Sequence, residues 1–277
     1  MMKEKIEGVF TMYFTDYHHH TDNSFDSIAQ MSAVCEQAII KGIDEICFTE
    51  HFSVNSLAPT YGHMDFERYF SQLKENRQRY ADKLVIKAGI ELCEPHLMQD
   101  EYKKALANLP LDFVMGSVHN VKEEKLSRYM LNKSPQEIYQ GYFDEVYQLV
   151  THADIDVLAH LDLIKRYATE TAGAYDFSDY QMILEKILLK AIERGIGIEI
   201  NTSGLANSKI KETLPSMEVL KLYRSLGGKI LTVGSDSHRA ETVGYGIEIA
   251  LRMAKEAGFN SIYTFEKRVP TAVEIDL

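Results

Sequence analysis

Imidazole and carboxylate side chains recur in this sequence at one kind of place, the end of a short apolar run. The first run leads into "HHHT" with His18 and His20, and "FTEH" ends in His51. "GIEL" contains Glu91, "GSVH" ends in His119, "LAHLD" contains His160, and "GSDSH" supplies Asp236 and His238. Nitrogen and carboxylate donors of this kind suit zinc, iron or manganese, and the residue types do not choose among them. In an extended segment, residues two apart point the same way. His18 and His20 can therefore grip one ion while His19 faces elsewhere, and Asp236 with His238 repeats the device. A lone histidine is more often a surface or hydrogen-bonded residue than a ligand. Here six of the ten histidines sit at run ends, whereas independent placement would scatter them through helices and loops.

The elements that must position these groups show as an alternation. Strands are predicted near residues 12–17, 45–50, 84–92, 112–118, 156–160, 196–201 and 229–236. Between them "DSIAQMSAVCEQAIIKG", "SPQEIYQGYFDEVYQLV", "YQMILEKILLKAIERG" and "PSMEVLKLYRSLGG" carry helical patterns, with Ser, Asp or Pro at the start or Gly at the end. No Pro-, Gly- or Ser-rich linker interrupts the alternation. The pattern predicts an α/β fold with one domain over residues 1–277, a parallel sheet wrapped by helices. The phosphate-binding G-x-G-x-x-G of a dinucleotide fold does not follow the first strand, so a closed barrel is favoured over an open sheet. In such a barrel the carboxyl ends of the strands gather on one face, and donors distant in sequence meet there.

Composition narrows the setting. The chain has 277 residues, 45% hydrophobic and 26% charged, the balance of a folded globular protein. A net charge of -11 argues against a nucleic-acid surface, which draws on clustered Lys and Arg. Cys35, Cys47 and Cys93 are widely spaced and form no C-x-x-C pair, so neither a disulfide framework nor a zinc knuckle is indicated and a reducing, cytoplasmic location is expected. The opening "MMKEKIEGVFTMYF" is too broken for a secretory core. No run approaches the roughly 18 apolar residues of a membrane span. His63, His96 and His152 are expected in loops or on helix surfaces. Asp16, two residues before His18, is expected on the same strand face as a ligand or, preferentially, as a carboxylate that orients one. Asp22 and Asn23 fit a turn, and Asp26 fits the N-cap of the helix that follows.

The motifs "DYHHHT", "FTEHF", "GIELCE", "GSVH", "LAHLDLIKRY", "EINTSGL" and "GSDSH", in this order from about residue 14 to about residue 245, resemble the PHP (polymerase and histidinol phosphatase) family of metal-dependent phosphoesterases, most closely its histidinol-phosphate phosphatase branch. The resemblance implies a distorted TIM-like (β/α)7 barrel. It also implies three divalent metal ions on nine protein ligands, all present here. By that likeness one ion takes His18, His20, Glu91 and Asp236. A second shares Glu91 and adds His119 and His160, and a third takes Asp26, His51 and His238. Asp26 thereby moves from helix cap to ligand, Asp16 stays behind the ligands, and Glu91, Asp236 and His238 form the catalytic core. The implied reaction is hydrolysis of L-histidinol phosphate to L-histidinol and phosphate, a step of histidine biosynthesis, by a metal-activated hydroxide.

The chemistry follows from charge. A phosphate monoester dianion repels hydroxide, so a catalyst must neutralise the phosphoryl oxygens and create a nucleophile at neutral pH; clustered divalent ions do both. Arg166 in "LIKRY" and Arg239 after His238 are candidates to complete the phosphate clamp. The branch pattern expects an Arg after "INT-(Ala/Ser)-Gly-Leu", and Ala206 stands there instead. Lys209 is a candidate substitute; alternatively the pocket accepts another small phosphomonoester. Two other classes fit less well. A metal-dependent amidohydrolase would place a bridging lysine where "GSVH" stands, and a noncatalytic metal-binding module would be expected to have lost donors.

Overall fold

The computed structural model describes residues 12–276; whatever the single-domain expectation and the leader-peptide reading say of residues 1–11 lies outside the described residues. In chain order the strands are β1 (Thr15–His19), β2 (Glu45–Phe52), β3 (Val85–Cys93), β4 (Phe113–Ser117), β5 (Asn120–Val121) and β6 (Glu124–Lys125). They continue with β7 (Val157–Leu158), β8 (Gly197–Asn201), β9 (Leu231–Gly234), β10 (Ser261–Glu266) and β11 (Val269–Glu274). Seven of them form one parallel sheet in the order β1, β2, β3, β4, β7, β8, β9. Just beyond the strand ends the sheet curls back on itself: Asp236 N donates to His18 O (2.8 Å) and His20 N to Ser237 O (2.9 Å). The result is a single-domain, nearly closed TIM-like barrel of seven parallel strands, the architecture the alternation predicts. Among the described residues, no helix is long and apolar enough to cross a membrane.

The helices form where local signals and burial agree. Helix Pro135–His152 begins at a Ser134/Glu137 capping box with Pro at its first position. It buries Ile138, Tyr142, Val146 and Leu149 at helical spacing against the sheet. The helix predicted to start at Asp26 begins instead at Met31 with Gln30 as its N-cap. Asp26 is therefore no cap, and the loop before the helix leaves it beside the strand ends. The fifth predicted strand shrinks to Val157–Leu158, because the backbone at His160 turns through a positive φ of 20°.

Polarity divides the barrel along its axis. Cys47, Phe113, Met115 and Val157 cluster inside it with Phe265 from the β10–β11 hairpin. That hairpin was not among the predicted strands. Phe265 N donates to Tyr17 Oη (2.7 Å), so the hairpin seals one end of the barrel and leaves the other to polar groups. His96, expected in a loop or on a helix surface, is buried and bonds Glu145 Oε1 through Nε2 at 2.7 Å, whereas His63 and His152 are exposed.

One irregularity in β1 matters. Asp16 pairs with Ile46 and His19 with Phe48, so three steps along β1 oppose two along β2, the signature of a bulge. Tyr17 and His18 both face inward as a result, and strict alternation does not carry back from His18 to Asp16. Asp16 is fully buried but meets no ligand ring. Its carboxylate accepts from Ser235 N (2.8 Å), Ser235 Oγ (2.6 Å) and Gly244 N (2.8 Å), stapling β1 to the segment that carries Asp236 and His238. Replacing Asp16 with Ala leaves those buried donors unsatisfied and should lower the unfolding free energy by about 3 kcal/mol. Equilibrium urea unfolding checks this, and a loss below about 1 kcal/mol would contradict the staple.

Candidate metal centre

Six of the seven sheet strands lead donors to the same mouth of the barrel. His18 comes from β1 and His20 directly follows it, His51 comes from β2, Glu91 from β3, and His119, His160 and Asp236 follow β4, β7 and β9. The floor of the site is a set of four buried groups. His18 Nε2 lies 3.1 Å from His20 Nε2, 3.4 Å from Glu91 Oε2 and 3.6 Å from Asp236 Oδ1. His20 Nε2 lies 3.6 Å from Glu91 Oε2 and 3.5 Å from Asp236 Oδ1. Donors held at about 2.1 Å from one tetrahedral ion are about 3.4 Å apart, so these four atoms have the spacing of a coordination shell. Glu91 Oε1 faces a second group, His160 Nε2 at 3.0 Å and His119 Nε2 at 3.7 Å. Asp26 Oδ2 forms the third with His51 Nε2 (3.4 Å) and His238 Nε2 (3.3 Å). The structure thus brings together all nine of the expected donors. A stretch that sequence spacing leaves 220 residues long, from His18 to His238, closes to a few ångströms.

The centre fits a cation on independent grounds. Glu91 is fully buried, and its Oε2, although 2.8 Å from His51 Nδ1, has no partner in hydrogen-bond geometry among the described residues. A buried, incompletely satisfied carboxylate is costly unless positive charge sits beside it. Burial alone would push Glu91 up, but His51, His18 and His119 hold it well below the usual carboxylate range. Asp236 is held down in the same way, against its burial, by His18 and His20 with Arg166. Conversely, burial alone would lower His18, yet Glu199, Asp236 and Glu91 hold it well above an ordinary imidazole. His51 is raised against its burial by Glu91 and Asp26, and His238 by Asp26 and Asp236. Cys93 Sγ also comes within 4.0 Å of His51 Nδ1, and burial pushes its thiol up to about 11.

Three buried glutamates that sequence reasoning passed over set the donors in place. Glu199 on β8 binds His18 Nδ1 through Oε1 (2.7 Å) and accepts from His160 N through Oε2 (2.8 Å), so one side chain orients two histidines. Glu50 accepts from Ser24 Oγ (2.7 Å), and Ser24 Oγ in turn meets His20 Nδ1 (3.1 Å) and accepts from His51 N (2.9 Å). Glu94, at a left-handed φ of 46°, accepts from His119 N and Asn120 N. A carboxylate that recurs within or just beyond a buried strand was the available signal. His19 turns away as expected: it packs edge-on against Phe48, and burial with the nearby His238 pushes it down to about 3.

Above the donors lies a cavity of about 250 Å3 lined by Asp26, His51, His119, Asp236 and His238, with Phe25, Pro59 and Tyr167 on its walls. Arg166 reaches it and is fixed there by Nη2, which donates to Ser203 Oγ (2.6 Å) and Asp236 Oδ2 (3.0 Å). Two predicted substrate cations lie elsewhere. Arg239 is 76% exposed, 3.7 Å from Glu241, because the chain after His238 turns outward into a short 3-10 turn. Lys209 pairs with Glu170 at the surface (2.5 Å). Lys125, not singled out in the sequence, lines the cavity instead.

The PHP domain model matches residues 16–203, about two thirds of the chain. A Clostridium acetobutylicum protein named "Probable histidinol-phosphatase" is 30% identical over 257 residues, covering 92% of this chain and 97% of its own. A Lactococcus lactis histidinol-phosphatase is 30% identical over 254 residues, covering 90% and 93%. The crystal structure of the Lactococcus lactis histidinol phosphate phosphatase, complexed with zinc, L-histidinol and phosphate, superposes with a TM-score of 0.87 at 28% identity, covering 94% of this chain and all of that one. With a parallel barrel, nine convergent donors and these likenesses in place, the chain belongs to the PHP domain family.

Proposed function

We propose that the protein is a metal-dependent phosphomonoesterase that hydrolyses histidinol phosphate to histidinol and phosphate. The observation that carries this is the convergence of three donor sets on the floor of one small cavity whose wall holds Arg166. The Lactococcus lactis relative, whose structure contains zinc, L-histidinol and phosphate, supports the substrate. Three ions are assigned to the three donor sets: one on His18, His20, Glu91 and Asp236; one on Glu91, His119 and His160; one on Asp26, His51 and His238. When bound, divalent ions there supply phosphoryl charge neutralisation and activation of water near neutral pH.

The chain's own residues do the rest. Glu91 presents one carboxylate oxygen to each of two donor sets, which fixes the spacing of the centre. Asp236 faces the histidines with Oδ1 and holds Arg166 with Oδ2, so the phosphate-binding fork is tied to the donor shell. Arg166 spends Nη2 on Asp236 and Ser203 and keeps its other N–H donors for phosphoryl oxygens. Phe25, Pro59 and Tyr167 give the cavity apolar walls. The three cysteines are all free and buried, which supports a reducing, cytoplasmic setting.

Ala206 favours a second reading, another small phosphomonoester as substrate. It is exposed at the end of the turn Ser203–Ala206 and offers no charge, and Lys209 does not replace it. Phosphate release from histidinol phosphate and from a panel of sugar and nucleotide monophosphates separates the two. The first reading expects kcat/KM for histidinol phosphate to exceed the others by about a hundredfold. Turnover of the panel without histidinol phosphate selects the second, and no turnover with zinc, iron or manganese overturns both.

The raised His18, His51 and His238 give a linked prediction. Their neighbouring carboxylates favour the protonated imidazoles in the metal-free protein, and bound ions must displace those protons, so metal affinity falls as pH falls. Zinc titrated calorimetrically at pH 7 into chelator-treated protein, in two buffers of different ionisation enthalpy, should show release of about two or more protons per chain. Identical heats in both buffers would contradict this.

A further inference from the structure

We propose that Lys125 binds the substrate phosphate, delivered to the cavity by the hairpin that follows His119. The inference rests on the phosphomonoesterase reading. A phosphate dianion above the donor sets needs compensation on the side that the donors do not cover, and a cation there must be both placed and unspent. Among the described cavity-lining residues the permanent cations are Arg166 and Lys125. Arg166 is partly committed to Asp236 and Ser203. Lys125 has no carboxylate partner among the described residues; its neighbour Glu124 faces Arg128 instead, at 3.8 Å.

The position of Lys125 is built rather than incidental. It pairs across the β5–β6 hairpin with Asn120, the residue after His119. The two-residue tip, Lys122 and Glu123, takes positive φ values of 50° and 63°, the geometry of the tight turn that suits the twist of paired strands. Two buried glutamates hold the hairpin. Glu94 accepts from Asn120 N (2.8 Å) and Asn120 Nδ2 (2.9 Å) as well as from His119 N. Glu145, itself bonded to the buried His96, accepts from Lys122 N (3.2 Å). One carboxylate thus sets both a metal donor and the strand that faces Lys125. A lysine ammonium is a compact charge on a flexible stem, able to follow a phosphoryl group without the planar geometry an arginine demands.

The test compares Lys125→Met and Lys125→Arg with the wild type in the zinc-loaded protein. Measured are kcat, KM for the best phosphomonoester, the inhibition constant of inorganic phosphate, and zinc content. Lys125→Met should raise both KM and the phosphate inhibition constant about tenfold, more than it lowers kcat, with zinc content retained. Lys125→Arg should recover most of the loss. Values for Lys125→Met within about twofold of wild type would overturn the proposal. A KM increase without a change in phosphate inhibition would also overturn it, by moving the contact to the leaving group, and zinc loss would do so by making the role structural. If the wild type turns over no phosphomonoester, the functional reading fails by itself. Calorimetric binding of inorganic phosphate to the zinc-loaded wild type and Lys125→Met still decides the role of Lys125.

Discussion

A carboxylate with no exposure to solvent, Glu91, sits at the centre of this protein with imidazoles on either side of it. Taking an ionised carboxylate out of water costs several kcal/mol even after relaxation, and removing its partners costs more. The fold answers that constraint from every side. Histidines from four other strand ends come within 3.7 Å of the two Glu91 oxygens, and further buried carboxylates hold those histidines in turn. Positive charge at the centre is what makes this much buried acid tolerable. The donor spacing then follows from the need to share it.

The barrel supplies the convergence, and small departures from regularity finish it. The bulge in β1 turns Tyr17 toward the sealed end while His18 and His20 stay together. His160 and Asp236 both adopt positive φ, at 20° and 52°, a conformation that costs a non-glycine residue and persists only where the surroundings impose it. Both are donors. The strain lies where each chain segment leaves its strand and must turn a side chain back over the barrel mouth. Asp16 secures the last of these segments from outside, and Glu94 secures the β5–β6 hairpin.

Much of this was legible in the sequence because donors and strands share a local code. A histidine or carboxylate at the end of an apolar run marks both the element and its function, which is why the seven sheet strands and the convergence of the run-end donors could be read without tertiary information. Asp26 needed more than pattern: its residue type and position fit a helix cap, the family resemblance moved it among the donors, and the late start of the helix at Met31 agrees with that move. Glu50, Glu94 and Glu199 offered only their recurrence within or just beyond buried strands as a signal, and their partners, distant in sequence, show only in the tertiary packing. Arg239 was inferred from adjacency to His238, but adjacent residues at a turn need not share a direction. Lys125 shows the reverse, a surface-looking lysine in a short hairpin that only the packing of Glu94 and Glu145 brings to the cavity.

Glu91 is proposed to organise three ions, one in each of the three donor sets. Anomalous diffraction at the zinc absorption edge, from crystals of the zinc-loaded protein, tests it directly. Three peaks per chain are expected, each about 2.0–2.2 Å from the nitrogen or oxygen donors of one set, with two of them flanking Glu91. Peaks remote from Glu91, or a chain whose only ion lies outside the three sets, would contradict it.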